Sequence, residues 1–414
     1  GEFQLGEERA VSLSIRNADI NGISLNGKLD YSKDLFTEIQ IEKLSVKKLE
    51  SIVKEEVLEG YLSGIMYDGN ASLSIKVDGG NILVNWMLPE SGLALSPKIT
   101  GFSMVKKGRL SAEGSYQYFS STHISSISIN SFQIDSKGFQ INGEANCINT
   151  RSANWRVTTQ STVDAGAPYS SWIPALHSTE YSYLPKEGLL YIGSELSITP
   201  WGIVDEFLCT VESEKLSGAL NAVPYSIGNL RTHFNNNKFQ IKTLGYKWGG
   251  NVGEVKAELF GVENWFDGGA IEGDINLDAE HIDIGSILSW WENRTVAEDS
   301  TASTAFLPSG SNLSLIIESG NLTWDALECE SFVTRANLTA SKLKIINSTT
   351  KTLEGLVRVE GSFRPSVEGW VLNLSGSADG ISLPKLFNCY DNFGQNTLRA
   401  QHMGGSLSIA GTSK

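Results

Sequence analysis

The chain has 414 residues, of which 40% are hydrophobic and 19% charged, the latter below the roughly 25% usual in soluble domains. Its formal net charge of −14 argues against nucleic acid, which needs a basic face, and gives no support for docking by charge on anionic lipid. Ser, Thr, Asn and 41 glycines fill the gap, as expected of a strand-rich protein with many turns; the length allows two to four domains or one elongated one.

Alternation of apolar and polar residues dominates from the start. Val11, Leu13 and Ile15 face one way, as do Leu73, Ile75 and Val77. Ile82-Leu83-Val84 leads to Trp86 and Leu88, and Ile127 and Ile129 give way to Phe132 and Ile134. Ser136-Lys137-Gly138 before Phe139-Gln140-Ile141 is a hairpin signal. Tyr169–Leu176 is predicted to hold a turn of helix, and 183–192 is ambiguous between helix and strand. A second hairpin is predicted from Leu230–Phe234 through Asn235-Asn236-Asn237 into Phe239-Gln240-Ile241. Leu313, Leu315, Ile317, then Leu343, Ile345, then Leu372, Leu374 alternate cleanly near the end. The pattern predicts on the order of 25 strands of 5–8 residues, the spacing of an all-β protein.

One fifteen-residue pattern occurs twice. Residues 279–293, AEHIDIGSILSWWEN, align without gaps on 378–392, ADGISLPKLFNCYDN. They share Ala279/Ala378, Ile282/Ile381 and Asn293/Asn392, with conservative pairs such as Ile284/Leu383, Ile287/Leu386 and Trp291/Tyr390. Residues 41–53 keep the apolar skeleton in Leu44, Val46, Leu49, Ile52 and Val53. In each copy alternation gives way to spacings of three and four, so a strand is predicted to end in a short amphipathic helix. Asp283, Ser382 and Ser45 stand at the N-cap, Pro384 in the first turn, and Gly60 and Gly394 where the helices should stop.

The stretch 295–312, TVAEDSTASTAFLPSGSN, lacks periodicity and reads as a linker; a weaker break falls near Ala165-Gly166-Ala167-Pro168. The expected domains are a β-rich region at 1–165, a β-repeat ending in a corner at 166–300, and a further β-repeat at 301–414. No apolar run approaches the roughly 18–20 residues that span a bilayer. The start, Gly1-Glu2-Phe3, and the end, in mid-strand, read as cut from a longer protein.

Chemistry-bearing motifs are absent: there is no GxSxG, HExxH, GxxxxGK[ST] or strand-linked GxGxxG. The histidines at 123, 177, 233, 281 and 402 are dispersed, and Cys147, Cys209, Cys329 and Cys389 form no CxxC or Cys/His cluster, so neither a catalytic site, a metal site nor a cofactor is expected. The cysteines read as small buried hydrophobes, with one disulfide open in an oxidising compartment. Carboxylate pairs such as Asp274/Asp278 and Glu328/Glu330 read as a solvated strand face. Asn-Leu-Ser/Thr at Asn312, Asn321, Asn337 and Asn373 reads as polar-out, Leu-in alternation rather than as glycan acceptors. The ten tryptophans read mainly as core or caps, with sugar binding as the functional alternative.

Around the second corner the sequence resembles the C-terminal part of AsmA-like proteins, in the form found in Bacteroidota. The signature comprises Leu322-Thr323-Trp324, Leu343-Lys344-Ile345-Ile346-Asn347, Leu353–Gly361, Ile381–Phe387, Asn392-Phe393-Gly394-Gln395 and Gly404-Gly405-Ser406-Leu407. Residues 229–294 resemble the preceding repeat of that family; 1–165 match only in style. The resemblance implies a non-catalytic periplasmic protein, anchored in the inner membrane by an N-terminal helix and active in outer-membrane homeostasis. It implies elongated, curved antiparallel sheets with short helices capping their ends, and an apolar groove that takes phospholipid or another acyl lipid. On this chain the candidate groove residues are Phe239, Ile241, Ile275, Leu277, Leu313, Leu315, Ile317, Leu343, Ile345, Leu372 and Leu374. Two other readings stand beside it: a secreted or surface β-sandwich that binds glycans through exposed tryptophans, and a structural scaffold with a packed interior.

Overall fold

A computed structural model of the chain describes residues 2–5, 11–20, 23–31, 35–45, 65–95, 106–148, 154–167, 185–199, 204–220, 223–262, 268–292, 307–366, 369–394 and 406–413. Among these residues the protein is mainly β, with two short α-helices, and the strand pairs described below are antiparallel except for one. It divides into two compact units, residues 1–181 with 189–209 and residues 182–188 with 210–414.

The first unit holds β1 (Glu2–Leu5), β2 (Val11–Ile20), β3 (Ile23–Tyr31), β4 (Leu35–Ser45), β5 (Ile65–Tyr67), β6 (Asn70–Asp78), β7 (Asn81–Leu95), β8 (Lys106–Phe119), β9 (Ile124–Ser136), β10 (Phe139–Ile148), β11 (Trp155–Asp164) and most of β12 (Glu187–Ile198). Each strand pairs antiparallel with the next, except that β4 pairs with β6 and β5 with β7. The Lys137-Gly138 hairpin turn forms as predicted, with Ser136 opposite Phe139 and Gly138 at φ 75°. The ambiguous segment 183–192 is strand from Glu187 onward. The helical turn expected at 169–176 lies outside the described residues.

The second unit holds most of β13 (Val204–Leu220), then β14 (Val223–Asn235), β15 (Lys238–Trp248), β16 (Asn251–Phe260), β17 (Glu272–Asp283), helix α1 (Ile284–Glu292), β18 (Asn312–Trp324), β19 (Leu327–Thr339), β20 (Leu343–Thr352), β21 (Gly355–Ser366), β22 (Gly369–Ser382), helix α2 (Leu383–Cys389) and β23 (Ser406–Ser413). From β14 to β23 each strand pairs with the next. The Asn235–Asn237 turn closes as predicted: the Asn235 side-chain oxygen accepts from the backbone N–H groups of Asn237 and Lys238, at 3.2 and 2.9 Å.

β17 and β18 run parallel, in register from Glu272/Asn312 to Asp283/Thr323. The strand that follows α1 therefore starts beside the end where β17 began, as a parallel pair requires. The boundary expected at 300/301 thus falls inside the second unit, between hydrogen-bonded strands, and the one expected at 165/166 falls inside the first. The 295–312 segment is described only from Leu307, where Ile271 N–H donates to the Ser311 hydroxyl at 3.0 Å.

Both repeat copies are strand-to-helix corners. Ile282 and Ile381, aligned in the repeat, are buried (6% and 5% exposed). In the first copy Asp283 caps α1, accepting from Ser286 N–H at 3.3 Å and from the Ser286 hydroxyl. Ser382 occupies the same position before α2 but makes no capping hydrogen bond. The cap residue's own N–H ties both corners to the neighbouring hairpin turn. Asp283 N–H donates to the Asn251 side chain at 2.8 Å, and Ser382 N–H to the Leu353 carbonyl at 2.8 Å. α2 passes into a short 3-10 turn, Asp391–Gly394, so Gly394 ends that turn rather than the helix. Beyond Ser45 the fainter third copy, with Gly60, lies outside the described residues.

Candidate functional site

Strict alternation places every second residue of a strand on one face, and register decides which neighbours share it. In the second unit this gives three rows crossing the strands. The first runs Phe234, Phe239, Leu259, Gly273, Leu313, Leu338, Leu343, Phe363, Leu372. The next runs Thr232, Ile241, Ala257, Ile275, Leu315, Ala336, Ile345, Gly361, Leu374. The third runs Leu244, Val255, Leu277, Ile317, Thr334, Ser348, Val359, Gly376. At about 4.8 Å per strand and about 7 Å between alternate residues, the apolar face from β14 to β22 extends roughly 40 Å by 14 Å along its pleats.

Every candidate groove residue read from the sequence lies in these rows. Sequence reasoning missed Phe234, Leu244, Val255, Leu259, Leu338, Val359 and Phe363, although Leu338 and Phe363 sit in the same alternation and could have been found by it. The reverse face is polar: Gln240, Glu258, Asp274, Ser314, Asn337, Lys344, Ser362 and Asn373 stand in one register line. The Asp274/Asp278 pair lies on it, flanked by Lys256, whose ammonium bonds Glu254 at 2.8 Å. The Asn-Leu-Ser/Thr tripeptides follow the same division, with Leu313 and Leu322 buried (5% and 8% exposed) and Asn312 and Asn321 exposed.

The apolar face is half-open. Of the candidate residues only Leu313 is buried, Leu372 is 46% exposed, and the others are intermediate. Two packed sheets would bury such rows in a layer about 10 Å thick, but the second unit from β14 to β23 is one run of successively paired strands.

One end of the face is closed by α1. Ala279, Ile282, Leu322 and Cys329 form a buried cluster against which Ile284, Ile287, Ile317 and Phe332 pack. Ala279 and Ile282 are three residues apart and would point to opposite faces of an unbroken strand. A bulge at Glu280, opposite Val252/Gly253, restores both to one side. Ser331, at φ 54° on β19, makes the matching break. Burial on this face pushes the Tyr246 phenol up.

The first unit repeats the device. Ile39, Ile75, Val84, Tyr116, Ile127, Cys147, Trp155 and Ile198 form one row, and Ile41, Leu73, Trp86, Gly114, Ile129, Ala145, Val157 and Leu196 the next. Trp86 lies across Gly114: a Cβ there would stand 2.4 Å from its ring and 2.3 Å from the Ser128 carbonyl oxygen. Trp86 and Trp155 thus face the apolar side, whereas Trp324 is 53% exposed in the β18–β19 turn. These are not a grouped sugar platform.

The cysteines are all free. Burial pushes the thiols of Cys147, Cys209 and Cys389 up, and Cys389 Sγ–H donates to the Ala326 carbonyl at 3.1 Å. Glu328 and Glu330 are exposed and line a charged cavity of about 620 Å³ with Lys351, Glu354 and Lys385. His281 Nε2 meets the Thr323 hydroxyl at 3.4 Å, and His123 Nδ1 meets the Tyr118 hydroxyl at 3.1 Å. Among the described residues no group of three His, Cys, Asp or Glu could hold a metal ion, and no helix is long and apolar enough to cross a membrane.

Fold and face together define a mainly β protein whose sheets are apolar on one side and polar on the other. No family model, curated protein or solved structure matches the chain. The AsmA-like resemblance therefore rests on the sequence signature alone.

Proposed function

We propose that the apolar face of the second unit is a groove for the acyl chains of a lipid, in a non-catalytic envelope protein of the AsmA-like kind. The observation that carries this reading is the run of in-register apolar rows from β14 to β22 whose side chains stay half-exposed. Contiguous apolar surface of this size on a soluble domain marks an interaction site, and acyl chains satisfy it without directional contacts. That agrees with rows made mostly of Leu, Ile, Phe, Val and Ala, with Thr232, Thr334 and Ser348 as their polar members and no charged residue. A periplasmic location, an inner-membrane anchor outside this sequence and a part in lipid traffic toward the outer membrane follow from the sequence resemblance and belong to the same proposal.

The test is native mass spectrometry of the full chain after incubation with vesicles of phosphatidylethanolamine and phosphatidylglycerol. Retained phospholipid adducts are expected. A chain that emerges free of lipid from both compositions overturns the reading.

A further inference from the structure

The first unit carries a second feature, whose polar lining comes from the face opposite the apolar rows. A depression of about 420 Å³ opens where β4, β6, β7, β8 and β9 lie side by side, within the size range of small-molecule sites. Gln40, Ser74 and Asn85 stand in register on three adjacent strands. Met87 and Glu113 form the next line on the same face, one pleat along. Asn130 joins them through an irregularity: it is the extra residue of a bulge in β9, because Glu113 pairs with Ser131 and Gly114 with Ile129. Bulges of this kind re-aim a side chain and gather beside binding sites.

The chemistry of the lining is selective. Three carboxamides, two serine hydroxyls and one carboxylate line the depression beside Ile41, Leu73, Trp86 and Met87, and no lysine or arginine lines it. Gln40, Asn85, Glu113 and Asn130 are exposed, and no hydrogen bond or ion pair within the described residues takes up their side chains. A carboxamide presents a donor and an acceptor side by side, and a carboxylate accepts from two neighbouring hydroxyls. That set matches vicinal hydroxyls, each of which both donates and accepts. An anionic ligand would meet Glu113 with no cation to offset it. A hydrophobic ligand would strand the carboxamides without partners. Met87, 48% exposed, supplies an adaptable apolar contact for the C–H face of a sugar ring.

We propose that the first unit binds a neutral saccharide in this depression, held by Gln40, Ser74, Asn85, Glu113 and Asn130 against Met87. The site is carried by carboxamides of the polar face, although Trp86 and Leu73 also border the depression. The experiment is saturation-transfer NMR on the full chain with maltotriose, cellotriose and chitotriose. Transfer to at least one trisaccharide is expected, with affinity falling about tenfold in Asn85→Ala/Asn130→Ala, the effect of losing two ordinary hydrogen bonds. Because Asn130 sits in a bulge, Gln40→Ala/Glu113→Gln at exposed positions provides a second pair, expected to weaken binding similarly at unchanged melting temperature. No transfer from any of the three sugars, or affinity unchanged in a folded variant pair, overturns the proposal. Phospholipid retention is expected to be the same in these variants as in the parent chain.

Discussion

Replacing Leu315 with Asp separates an open lipid-holding face from a sealed core. Leu315 lies in the middle apolar row, in register with Ile275 and Ala336, and is half-buried. Fully burying a leucine side chain is worth about 1.5–3 kcal/mol, so a half-buried one contributes about 1–1.5 kcal/mol. A carboxylate that keeps part of its hydration adds a cost of about 1 kcal/mol, far less than a fully desolvated one. The expected loss on chemical denaturation is therefore about 2–3 kcal/mol, with the chain still folded and its bound phospholipid reduced in native mass spectra. The control is Asn337→Asp on the reverse face, where the new carboxylate stands opposite Lys344; it should change stability by less than about 0.5 kcal/mol and leave lipid retention intact. In a sealed core the Leu315→Asp carboxylate would be buried without a partner and cost about 5 kcal/mol or more. A variant that fails to fold refutes the open face, and one that folds and retains lipid as the parent does refutes the groove.

Asn251→Ala removes a residue 3% exposed that accepts from Asp283 N–H and donates to the Trp248 and Gly249 carbonyls at 3.1 and 3.3 Å; it should cost about 2–3 kcal/mol in urea denaturation, since buried groups lose their partners. The Asp283 carboxyl is held below its ordinary 3.8, chiefly by the Ser286 hydroxyl. Its contribution to stability is thus complete above that value and lost as pH falls through the lower folded one, so Asp283→Asn should flatten the acid limb of a stability–pH profile below about 4. Gly114→Ala should lower stability by about 2 kcal/mol or more and shift tryptophan fluorescence, because the new methyl would meet the Trp86 ring and the Ser128 carbonyl oxygen at 2.4 and 2.3 Å. Native titration with a thiol reagent should leave Cys147 and Cys329, both buried, unreacted until denaturant is added.

Much of this fold was legible because alternation is a strong signal when one side of a strand is apolar. Leu313, Leu315 and Ile317 share a face whatever the rest of the chain does, and the turns at Lys137-Gly138 and Asn235–Asn237 carry their own chemistry. Register across many strands was also implied, since a slip by one residue would expose a whole row. The parallel return from β17 to β18 was not legible. Composition marks 295–312 as a break, but nothing local says that the next strand will lie beside the one just left. The bulges at Glu280 and Asn130 were equally hidden, being set by pairing partners rather than by residue type. The polar depression draws its residues from Gln40 to Asn130 along the chain, and each alone is an ordinary solvent-facing strand residue.

The repeated corner acquires a physical role from these details. A strand that ends in a helix must satisfy the first helical N–H groups, and the two copies do so differently, through Asp283 in one and not through Ser382 in the other. What they share is the bond from the cap residue's own N–H to the adjacent hairpin turn, given by the Asn251 side chain in the first copy and by the Leu353 carbonyl in the second. Conserving the anchor while varying the cap is what a repeat should do if its task is to fix where a helix leaves the sheet. In the first copy that position closes the face, with Ile284 and Ile287 packed over Leu322 and Cys329. The first corner therefore sets where the apolar rows stop on that side, and the rows beyond it stay half-exposed.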